Sequence, residues 1–358
     1  MAGKTASSRL FHTALFDSEV IEEIRFSGNG FCVLFRNTST PGRRRNNFAP
    51  DGGVVVPGDN GGQPRRLGPP HEAMILAADL EAATRVAGIL LAASAVIAGG
   101  ITLLPEDVRP YQLGRRPPPG TEQNFLVTSG IAISAALAAK ASRRKSLTLA
   151  VCRLLASYRS VSVHHMDLQP SMGQPFRVDR DPLRWVSLAQ AATTAFGVVE
   201  DLNVKVMAFA KKPPVAGGLW DPGARRSLEE RLKRRGIDPS TNVAWLLRGP
   251  PTKLERAARK AAGQRLPWSH GVSVRDRSLN ILDAIFYAQN VRNKAAAHGG
   301  SSLVRSLTAT DVFNVQRLSR DLIINSAGVG SLVSGADSLP GTVGAALEGR
   351  GGRGKSSS

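Results

Sequence analysis

Apolar side chains recurring at steps of three and four organise the C-terminal half of the chain. Trp185, Leu188, Ala192, Ala195, Val199, Leu202 and Val206 share one face of a helix of about six turns. Asp181-Pro182 precedes it with the form of an N-cap followed by proline at the first helical position. A glycine- and proline-rich break over residues 211–223 leads to a short amphipathic helix over 224–235, with Gly236 where a terminating glycine belongs. A longer helix is expected over 278–298, with Ile281, Leu282, Ile285 and Ala288 on one face and Gly299-Gly300 as its stop. Thr308 followed by Asp311 resembles a capping box for a last helix to residue 326, whose stripe is Val312, Val315, Leu318 and Leu322. These helices predict a bundle.

The N-terminal half reads differently. Residues 11–37 alternate loosely, and Gly28-Asn29-Gly30 separates residues 20–26 from 31–35, which predicts a β-hairpin. Residues 37–70 are Gly, Pro, Asn and Arg with one apolar run, Val54 to Val56, so a long loop and a domain boundary are expected there. Two stretches carry no charge, residues 86–104 and 124–139. They read as buried helices or as a membrane hairpin. Their Ala, Gly and Ser content, and the arginines between them (Arg109, Arg115, Arg116), favour burial and a soluble protein. Four segments result: a small β element plus loop over 1–70, an Ala-rich helical region over 71–170, a helical domain over 171–326 and a disordered Gly/Ser tail over 327–358. The expected fold class is mainly α with a small N-terminal β element.

Composition adds a partner. The 358 residues are 42 % hydrophobic and 21 % charged, as in globular proteins, but 47 basic against 28 acidic side chains leave a net charge of +19. A polyanion is implied. Residues 205–278 hold 17 Lys and Arg against 6 Asp and Glu, so +11 of that excess lies in a fifth of the chain. Within and beside this window, Arg256, Arg259, Lys260 and Lys294 are the expected nucleic-acid contacts. Cys32 and Cys152 are too few for a disulfide framework or thiolate metal site, and the first twenty residues lack the apolar core of a secretory signal, so a cytoplasmic setting is expected.

Candidate chemistry lies in Asn290-Val291-Arg292-Asn293-Lys294-Ala295-Ala296-Ala297-His298-Gly299. An arginine, a following amide and a histidine at the end of an amphipathic helix resemble the Arg-polar-x(3–5)-His motif of the HEPN superfamily, in the form carried by abortive-infection and related bacterial members. The resemblance spans residues 181–326. Other Arg-to-His spacings, Arg159 to His164 or His165 and Arg265 to His270, lack the amide and the helical context. Membership implies a helical bundle acting as a homodimer and cutting RNA without a metal or cofactor, in a defence or toxin-like role, with an antitoxin or regulatory partner.

The residue types suit that reaction. Attack of the RNA 2′-hydroxyl on its own phosphate needs a proton acceptor, stabilisation of a five-coordinate phosphorus and protonation of the leaving 5′-oxygen. His298 can exchange protons near neutral pH, Arg292 presents a planar fork to phosphate oxygens, and Asn293 can orient either group or bind phosphate. Six positions of straight helix would set Arg292 and His298 about 240° apart with about 9 Å of rise. The site therefore needs a turn before His298 or two protomers. Three alternatives stand beside catalysis: a non-catalytic RNA- or nucleotide-binding module, a membrane-attached protein, and a plain helix end with Arg292 solvated.

Three further signals carry less. Residues 349–356 match the Walker A pattern by letters but have no room for the helix that aims a phosphate loop. His164-His165-Met166-Asp167 lacks a partner at ligand spacing. Glu200 and Asp201 sit near a helix C-terminus, against its dipole; a solvated polar face is the expectation and a place opposite the Arg-His site the alternative.

Overall fold

The computed structural model describes residues 9–15, 24–28, 31–37, 54–56, 65–67, 71–100, 109–110, 128–163, 181–208, 213–216, 218–248, 256, 274–297 and 306–330. The chain is mainly α, as expected, with small antiparallel sheets. The 37–70 loop apart from its two short strands, the His164 to Asp167 cluster and the tail beyond residue 330 lie outside the described residues.

Strands β1 (Arg9–Leu15), β2 (Ile24–Gly28), β3 (Phe31–Asn37), β6 (His71–Ala77) and β7 (Arg109–Pro110) form a sheet in the order β2-β3-β6-β1-β7. The Gly28 to Phe31 pairing closes the hairpin anticipated at Asn29-Gly30. Strands β4 (Val54–Val56) and β5 (Arg65–Leu67) pair apart from it. Pairing of β6 with both β1 and β3 carries the sheet past residue 70, where the sequence suggested a boundary. Strand β6 is hidden in the sequence because its outward position is also apolar: Ile75 and Ala77 are buried while Leu76 is exposed, so no alternation shows.

Asp79 then caps α1 (Leu80–Ala98), accepting from the Ala82 amide at 2.7 Å. Among the described residues α1 is the one helix long and apolar enough to cross a membrane, and 56 % of its most apolar window is buried inside the fold. It packs on β6, α2 (Thr128–Ala141) and α3 (Lys145–Ser160).

The C-terminal elements follow the predicted periodicity closely. Helix α4 (Pro182–Asp201) is capped by Asp181, which accepts from Leu183, and buries Leu188, Ala192, Ala195 and Val199; it ends at Asp201, so Leu202 and Val206, expected on its face, are buried beyond it. Strands β8 (Val215–Ala216) and β9 (Leu219–Trp220) precede α5 (Pro222–Arg234), capped by Asp221. Helix α7 (Ala309–Ala327) opens with the Thr308–Asp311 capping box and buries its whole predicted stripe. Helices α3 and α4 pack together, and α4 also packs against α7 and α6 (Ile281–Ala297).

One element is new. Strands β10 (Asn242–Arg248) and β11 (Val274–Asn280) form a hairpin inside the basic window. It takes the first three residues of the helix expected from 278, because the Asn280 carboxamide accepts the Leu282 amide at 3.0 Å and starts α6 at Ile281. Asn314 of α7 fastens this hairpin by accepting the Leu246 amide and donating to the Leu246 carbonyl, both at 2.8 Å.

Cations from distant segments close several helix C-termini, where carbonyls lack intrahelical partners. Arg320 donates to the carbonyls of Val96 and Ile97 at the end of α1, which stops at Gly99 in the left-handed region (φ 71°). Lys140 and Arg144 donate to Ala327 and Ser326 at the end of α7. Arg235 does the same for Leu202 after α4. Part of the basic excess is thus spent inside the fold.

Candidate functional site

Arg292 sits in the penultimate turn of α6, between the fully buried Val291 and the exposed Asn293. The apolar face of α6 holds the helix to the core and leaves Arg292 at its edge, with a side chain 35 % exposed. Its Nη1 donates to the Asn293 Oδ1 at 3.3 Å, and its Nη2 meets the Glu200 Oε1 at 3.3 Å. The Nε is buried without an acceptor among the described residues. The guanidinium is therefore fixed from two sides by contacts long enough to exchange.

Glu200 is exposed, as expected, and from that position it also reaches Arg292. The neighbouring Asp201 pairs with Arg153 of α3, whose Nε lies 2.5 Å from Oδ2. Burial pushes the Asp201 carboxyl up, and the hydrogen bond and charge of Arg153 oppose that shift. Arg235 reaches the next residue, donating to the Leu202 carbonyl at 2.7 Å. Three arginines, from α3, from α6 and from the residue after α5, thus converge on residues 200–202. The available sequence signal was the acidic pair itself, placed where the α4 dipole disfavours it.

The segment beyond is held as firmly. Gln289, one turn before Arg292, accepts the Val206 amide at 2.8 Å and donates to the Val206 carbonyl at 3.0 Å. Arg231 of α5 donates to the Lys205 carbonyl at 2.8 Å and touches the Met207 sulfur.

The other expected contacts are distributed unevenly. Arg256 is exposed, and Lys294 continues the α6 backbone two residues beyond Arg292. His298, Arg259, Lys260 and the Lys294 side chain lie outside the described residues. Within the basic window Arg231 is buried and Arg235 half-buried, each used to hold backbone, whereas Lys205, Arg226, Lys233, Arg234 and Arg277 face solvent.

The most perturbed carboxyl stands elsewhere. Asp311 is buried at the start of α7, and desolvation pushes its pKa up to about 6, against hydrogen bonds from the Thr308 side chain and backbone and from Tyr287. Perturbed acids mark functional sites, but capping boxes also bury them. Its bonds to Thr308 place Asp311 in the second class.

No protein family, curated protein or solved structure matches the chain in comparisons of sequence and fold.

Proposed function

We propose that the chain is a metal-independent endoribonuclease of HEPN type, acting as a homodimer in the cytoplasm in a defence or toxin-like role. The observation that carries this reading is Arg292: a guanidinium about one third exposed near the end of α6, steadied by Asn293 and Glu200. In the reaction Arg292 binds the scissile phosphate and offsets charge developing on it, Asn293 orients the fork, and His298 moves the proton. The exposed basic side chains, Arg256 among them, supply the counter-charge for an RNA backbone.

Purified protein incubated with mixed cellular RNA in EDTA tests the reading in one step. Cleavage that persists and leaves 2′,3′-cyclic phosphate ends supports it. Activity lost in EDTA and restored by Mg²⁺ rejects the mechanism.

A second reading is favoured by the Glu200 contact. A carboxylate already occupying the Arg292 Nη2 suits a module that binds RNA or a nucleotide by exchanging one anion for another, without cutting it. Binding without cleavage in the same experiment selects it.

A further inference from the structure

We infer that Arg153 is a second phosphate-binding residue of the RNA site, gripping the strand on the far side of the α4 terminus from Arg292. The inference rests on the RNA reading above and adds to it a residue from a different helix.

Arg153 leaves α3 and lies across α4 at Gly197, where a Cβ would stand 2.7 Å from the Arg153 Cδ. Only glycine gives the side chain this path. It ends at Asp201, one turn further along α4, and the two partners are buried very unequally: the Asp201 side chain is 10 % exposed and that of Arg153 48 %. The carboxylate engages Nε alone, so both Nη groups are without a protein acceptor among the described residues. The outer half of the fork is left in water. The ion pair fixes the inner edge of the guanidinium and presents the outer edge.

Glu200 and Asp201 are adjacent on a helix, so the arginines they hold are directed about 100° apart around the end of α4. Arg292 lies on one side and Arg153 on the other, with Arg235 between them in sequence order on the Leu202 carbonyl. Three guanidinium charges against two carboxylates leave the terminus net positive. A single anion bound to Arg292 does not need the second fork. A chain of phosphates does, and planar forks match phosphate oxygens better than ammonium groups.

The test measures affinity for a fluorescently labelled single-stranded oligoribonucleotide across a salt series. Arg153→Ala is compared with Arg85→Ala, which removes the same charge from the exposed side of α1. The expected result is about tenfold weaker binding for Arg153→Ala, with the slope of log affinity against log salt smaller by about 0.7, one single-strand contact. In cleavage KM should rise with kcat nearly unchanged. Affinity and slope equal to those of Arg85→Ala overturn the inference. Labelling of the wild-type protein with an arginine-selective dicarbonyl, read by peptide mass spectrometry, is independent of any folding defect. Saturating RNA should protect Arg153 and Arg292 together. Protection of Arg292 alone rejects the role of Arg153 and leaves the RNA site standing, whereas protection of neither, with no RNA binding by the wild type, removes the RNA reading itself.

Discussion

Glu200 and Arg292 meet at 3.3 Å between α4 and α6, each side chain about one third exposed. In the proposed ribonuclease, phosphate and Glu200 compete for the same guanidinium edge. Glu200→Gln keeps the size of the side chain and removes the competing charge, so RNA affinity should rise by roughly threefold. Folding stability should change by less than about 0.5 kcal/mol, as for other exposed pairs. Fluorescence anisotropy and urea unfolding measure the two effects; unchanged affinity would show that the pair does not stand in the substrate's path.

The Arg292 and His298 roles separate under mutation. His298→Ala should abolish RNA cleavage with affinity nearly intact, because a proton-transfer group acts in the transition state. Arg292→Ala should reduce both, since its donors engage the ground-state phosphate. Mixing the two variants should restore part of the activity if each site draws on both protomers. No recovery despite proven subunit exchange places a working site within one chain, and wild-type cleavage by both variants leaves a plain helix end.

Asn314 satisfies both backbone groups of Leu246 from a side chain 3 % exposed. Asn314→Ala strands a buried N–H and a buried C=O together, at about 1–3 kcal/mol for each. A loss of roughly 2–5 kcal/mol is expected in urea unfolding, with hydrogen exchange rising first along β10. A loss under about 1 kcal/mol would mean that water replaces the amide.

Asp311 sets a pH dependence of opposite sign to the usual carboxylate. Its folded pKa, about 6, lies above the unfolded value near 3.8, so between these limits the folded state binds more protons. Stability from this group is full below about pH 4 and falls as pH rises through 6. The size is a few kcal/mol at most, since about two units of pKa at about 1.4 kcal/mol each are involved. Asp311→Asn keeps an acceptor for Thr308 and cannot ionise. The stability of this variant relative to wild type should therefore increase from pH 4 to pH 7. Parallel stability curves would contradict the assignment.

The helices of the C-terminal half were legible because each carries its own punctuation. Asp181-Pro182, Thr308 with Asp311, and the stripes of α4 and α7 are local signals that agree with the packing. Strands β6, β10 and β11 were not legible, for opposite reasons. In β6 an exposed leucine erases alternation, while β11 is apolar only at Val274 and the buried Leu279, five residues apart, and exists because β10 pairs with it. At the site, Arg292 and Asn293 stood out by sequence spacing. Glu200 stood out only as an acid near a helix C-terminus, because it is 92 residues away and only the packing of α4 on α6 brings it to Arg292.

The cationic closure of helix ends has a consequence for how the chain is made. Arg320 seals α1 from 224 residues further along the chain, and Lys140 reaches forward 187 residues to the end of α7. Synthesis at about 5–20 residues per second delivers Arg320 roughly 10–45 s after the carbonyl it caps. For that interval α1 can pack on β6, α2 and α3, but the carbonyls at its end have only water to close them until the last helix is made.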